Sequence, residues 1–74
     1  MANFSTVMMS WVRAELAELA EIAGRPLTAD DVEPMTWLYN EVSTAFDGGA
    51  FVTSLNALQK WSRRIVSWWL DDGF

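Results

Sequence analysis

Histidine and cysteine are both missing from the 74 residues. Histidine is the side chain whose charge changes nearest neutral pH, and cysteine supplies thiolate nucleophiles and soft metal ligands. Their joint absence removes the commonest proton shuttles, thiol chemistry and zinc sites. No glycine-rich phosphate loop and no serine–histidine pairing is present either. The chain is therefore expected not to be an enzyme, and to hold no cofactor and no metal. Basic residues are also scarce, five against ten acids, for a net charge of −5. Phosphate contacts need a concentrated basic surface, so direct nucleic-acid binding is not expected. No run approaches the roughly 20 apolar residues of a membrane span, and Met1 to Met9 carry no positive charge. These features are read as those of a cytoplasmic protein without membrane attachment, and the missing cysteines fit a reducing compartment.

Aromatic surface is what the chain has in quantity: five tryptophans, within a composition 51% hydrophobic and 20% charged. That balance belongs to a folded chain rather than a disordered one. Residues 1 to 74 are read as one domain. A domain this small buries only about 60 to 65% of its unfolded surface, and without disulfides or metal its remaining staple is association with another chain.

Apolar residues recur at helical spacing in three segments, separated by Gly24 to Pro26 and by Gly48 with Gly49. The first helix is predicted over about 4–23, with Asn3 or Ser5 as N-cap and Met8, Val12, Leu16, Leu19 and Ala23 as its stripe. Gly24 is placed at its C′ position, ahead of Pro26. The second is predicted over 29–47. Thr28 caps it, Asp31 sits at the capping-box position, and Leu27 is placed to staple onto Val32. Pro34 requires a bend or break unless it falls in the first turn. Met35, Leu38, Tyr39, Val42, Ala45 and Phe46 share its apolar face. The third is predicted over about 50–70, burying Phe51, Leu55, Leu58, Ile65, Val66 and Trp69, with Lys60 and Arg63 pointing away and Asp71 to Phe74 as a frayed tail. The expected fold is all-α: a small antiparallel three-helix bundle, or a helical hairpin completed by dimerisation.

Trp69 falls centrally on the third stripe, whereas Trp37 projects almost opposite its own apolar face, among Asn40, Glu41 and Thr44. Trp61 and Trp68, seven residues apart, lie together on a flank of the third helix with Arg64 between them. Flank tryptophans close the edges of many bundles, and exposed ones mark contact surfaces, with Arg64 adding a cation–π contact. Trp11 sits off the main stripe of the first helix. The expected protein-interaction residues are Trp37, Trp61, Arg64 and Trp68.

Charge is uneven. Glu15, Glu18 and Glu21 line the first helix, while Lys60, Arg63 and Arg64 make the third one basic. An acidic first helix is complementary to a basic third helix, within the bundle or across a two-fold interface. Asp30, Asp31 and Glu33 suit a helix N-terminus. These features point to a small acidic helical interaction module, an adaptor or inhibitor that occupies a partner protein's surface, as a homodimer. Inhibitors of this size are often encoded by phages or plasmids. The alternatives are a self-assembling structural subunit with no separate partner, and an acidic mimic of DNA that blocks a nucleic-acid-binding protein.

Overall fold

The computed structural model describes residues 6–47 and 55–72, all of it helix or helix connection. Helix α1 spans Thr6–Ile22, α2 spans Ala29–Asp47 and α3 spans Leu55–Asp72. The expected caps Asn3 and Ser5, the Gly48–Gly49 break, Phe51, Gly73 and Phe74 lie outside the described residues.

The first connection is specified by local chemistry. Gly24 adopts φ 89°, the left-handed conformation that only glycine takes without strain. The Gly24 N–H donates to the Glu21 carbonyl and the Arg25 N–H to the Ala20 carbonyl, each at 3.0 Å. These two bonds are a Schellman closure, satisfying carbonyls that the end of α1 leaves free. At the start of α2 the Asp31 carboxylate reaches back to Thr28. It accepts from the Thr28 hydroxyl at 2.9 Å and more weakly from the Thr28 N–H at 3.4 Å. That is the reciprocal half of the expected capping box. Leu27 and Val32 are both half-buried beside it.

Pro34 lies inside a continuous α2 rather than at a break. It removes one donor near the first turn. One turn on, the buried Thr36 hydroxyl finds its partner within the helix, donating to the Val32 carbonyl at 2.7 Å.

The three helices form a bundle in which each packs on both others. Three contacts fix their directions. Arg13 of α1 pairs with Glu33 of α2. The Phe46 and Trp61 rings meet at 5.7 Å, joining the end of α2 to the early part of α3. Arg25, just before α2, covers Trp69 near the end of α3, 4.1 Å from the ring centroid. Neighbours in sequence therefore run antiparallel, as short connections favour.

The core comprises Val12, Leu16 and Ala20 from α1, Met35 and Tyr39 from α2, and Leu58, Trp61, Ile65, Val66 and Trp69 from α3. Burying a large apolar side chain is worth about 1.5–3 kcal/mol, and α3 supplies half of this set, including its two largest members. Thr36, Ser43 and Ser62 are buried as well. Thr36 and Ser43 turn their hydroxyls back onto their own helix, Ser43 donating to the Asn40 carbonyl at 3.3 Å, which lets polar residues line a helix contact.

Several assigned core positions are not buried. Ala23 and Ala45 are exposed, and Ala20 takes the place given to Ala23. Phe46 is 75% and Leu55 64% exposed, although both share their helix's apolar phase. They sit at the end of α2 and the start of α3, where the bundle offers less neighbouring surface. Asp71 and Asp72 complete α3 instead of forming a frayed tail.

Candidate interaction surface

Of the four residues expected at a contact surface, the structure leaves three open and encloses one. Trp37 is 63% and Trp68 39% exposed, and Arg64 is exposed between the helical turns bearing Trp61 and Trp68. Trp61 is 2% exposed and belongs to the core, which corrects its assignment to the surface. The reason is local cover. Phe46 lies against the Trp61 ring from α2, while Lys60 and Arg64 lie over it at 4.8 and 5.2 Å from the centroid. A helix with two neighbours has a broad apolar arc, and at this level the arc reaches the flank.

Trp37 has no such cover. Its helical phase is nearly opposite that of Met35 and Val42, and the side chains one turn away on its face are Glu33 and Glu41, both exposed. Glu33 is tied to Arg13 of α1. Glu41 forms no ion pair with a described residue. Across its whole length α2 carries acids and no base.

On α3 the charge reverses, with Lys60, Arg63 and Arg64 and no acid before Asp71. Arg63 and Arg64 make no ion pair with a described residue, so these two cations are not neutralised by the acids of α1 inside the bundle. Glu18 and Glu21 of α1 point to solvent and line a shallow open groove with Ala14 and Ile22.

Trp11, placed off the main stripe of the first helix by the sequence, is 52% exposed and joins Ile22 on the outer face of α1. One feature was missed by sequence reasoning. Arg25 is a structural cation, stacked on Trp69 and donating to the Trp69 carbonyl at 3.4 Å. Its position after a predicted helix-ending glycine gave no sign of the ring it would meet. Among the described residues no cluster of metal-ligating side chains forms, and no helix is long and apolar enough to cross a membrane.

The chain is 30% identical over 67 residues to the 6-aminohexanoate-cyclic-dimer hydrolase of Paenarthrobacter ureafaciens, and 28% identical over 67 residues to the hydrolase of the same description from Pseudomonas sp. (strain NK87). Each match takes in 90% of this chain but spans only 14% of the hydrolase. No protein-family model matches, and no solved structure matches.

Proposed function

We propose that the chain is a helical protein–protein interaction unit, an adaptor or inhibitor whose exposed aromatic side chains are covered by another protein surface. The observation that carries this reading is Trp37, held 63% exposed on a face that contributes nothing to the bundle core. An exposed tryptophan with a charged rim has the composition of an interface centre, where a large rigid ring provides contact area at little entropic cost. Trp68 and Arg64 supply a second aromatic and cationic element on α3.

The comparison supports a narrower version of the same reading. In the two hydrolases the matching stretch is a small part of a much longer chain. A helical unit with this much uncovered apolar surface suits docking onto the remaining body of a protein of that kind, joined to it or separate from it. The 6-aminohexanoate-cyclic-dimer hydrolase activity belongs to those whole proteins, and the matched portion, 14% of each, is too small to carry it to this chain.

Affinity capture from the native host tests the reading, with the wild type and a Trp37→Ala/Trp68→Ala variant compared side by side. The expected result is a defined protein retained by the wild type and lost from the variant while helicity is unchanged. A hydrolase-like protein in that fraction would support the narrower version. Equal retention by both proteins contradicts the role given to these tryptophans.

A further inference from the structure

The bundle has three long sides, and the one formed by α1 and α3 gathers three exposed apolar side chains. On α1, Arg13 pairs with Glu33, so the flank that Arg13 occupies faces α2. Met8 and Leu19, packed against the core on the opposite flank, mark the direction of α3. Trp11 and Ile22 come next around the helix from Leu19. They are eleven residues apart and, at about 100° per residue, share one direction to within about 20°, with Glu15 and Glu18 between them. On α3, Trp61 meets Phe46 of α2, and Leu70, nine residues on, lies on the opposite flank with Arg63 beside it. That flank faces α1. Trp11, Ile22 and Leu70, exposed by 52%, 76% and 39%, therefore look out over the α1–α3 side together with Glu15, Glu18 and Arg63.

The two helices also match in height. Both run antiparallel to α2 and so parallel to one another, and Arg25, just past the end of α1, covers Trp69 near the end of α3. Ile22 and Leu70 thus lie toward the same end of the bundle. Glu15 is seven residues below Ile22, and Arg63 is seven below Leu70, about 10.5 Å in each case.

We propose that this side is an interface between two copies of the chain, related by a two-fold axis running along the helices. Such an axis lays α1 of one copy on α3 of the other without changing height. Ile22 meets the second copy's Leu70, Glu15 meets the second copy's Arg63, and Trp11 covers the turn below that arginine. Each meeting occurs twice. A two-fold running across the helices would instead lay α1 on α1 and α3 on α3, opposing like charges. On α1 the only base is Arg13, tied to α2, whereas α3 has no acid before Asp71. Charge therefore selects the first arrangement, in which Arg63, without an ion pair to any described residue of its own chain, gains one. Size is sufficient as well. A standard interface covers about 800 Å² per partner, roughly a sixth of the 4627 Å² exposed here.

Trp37 and Trp68 lie away from this side, so the dimer leaves them open to the separate protein partner proposed above. Sedimentation velocity from nanomolar to high micromolar concentration tests the inference, with circular dichroism confirming that each variant folds. The wild type is expected to be a reversible dimer that weakens with added salt. Glu15→Arg and Arg63→Glu should each weaken it by about tenfold or more, and the two reversals together should recover most of the loss. Ile22→Asp should leave monomer, while Trp37→Ala leaves the dimer intact. A chain that stays monomeric throughout, a dimer indifferent to both charge reversals, or a dimer lost with Trp37→Ala but kept with Ile22→Asp overturns the proposal.

Discussion

Trp61 and Trp68 occupy the same flank of one helix two turns apart, yet the first is 2% and the second 39% exposed. Their intrinsic preference is identical, and so, to within about 20°, is their direction from the α3 axis. The difference lies in what stands opposite. At the level of Trp61, α2 ends with Phe46 folded against the ring. At the level of Trp68, α2 presents Trp37, which turns outward, and the nearby cation Arg25 is spent on Trp69 instead. Helical phase therefore decides where a side chain points, and the neighbouring element at that height decides whether it is buried.

This contrast can be broken most forcefully at the enclosed end. Trp61→Ala or Trp69→Ala removes a buried ring and leaves a cavity, an expected loss of about 3–5 kcal/mol. In a domain whose whole stability is on the order of 5–15 kcal/mol or less, that leaves much of the population unfolded, as urea titration followed by circular dichroism would register. Trp68→Ala should cost under about 1.5 kcal/mol in the same titration, because a partly exposed ring loses less contact on removal. Equal costs for Trp61 and Trp68 would erase the distinction.

Smaller effects sharpen the account of the connections. Gly24→Ala forces a left-handed conformation on a residue with a Cβ, at an expected cost of about 1–2 kcal/mol, although nothing lies within 4 Å of the added atom. A neutral result in thermal unfolding would show that the α1 terminus relaxes into another closure. Arg25→Ala should cost about 0.5–1 kcal/mol and alter the emission of Trp69, since the stacked guanidinium is lost. Unchanged emission would mean that the cation does not hold its place over the ring.

The sequence was most informative where chemistry is local. Gly24 before Pro26, and Thr28 followed three residues later by Asp31, identified a helix end and a helix start from residues that contact one another. The core stripes of Val12, Leu16, Met35, Tyr39, Ile65 and Trp69 were equally legible, because they depend on the helical period alone. What could not be read was cover supplied from a distance. Phe46 and Leu55 carry the right phase but sit at a bundle end, and Trp61 was assigned to the surface because its enclosing ring comes from another helix. Buried Ser43 and Ser62 were missed for a related reason: a small polar residue is a packing residue only once a neighbouring helix has come close. At the candidate surface, Trp37 was legible because it opposes its own helix's apolar stripe, a property of one helix.

Hydroxyl-radical footprinting of the five tryptophans, read by mass spectrometry in dilute solution where the chain is monomeric, tests the central claim most directly. Trp11 and Trp37 should be modified fastest and Trp68 at an intermediate rate, while Trp61 and Trp69 stay protected until the helices melt. Protection of Trp37 and Trp68 equal to that of Trp61 in the isolated chain would contradict the account.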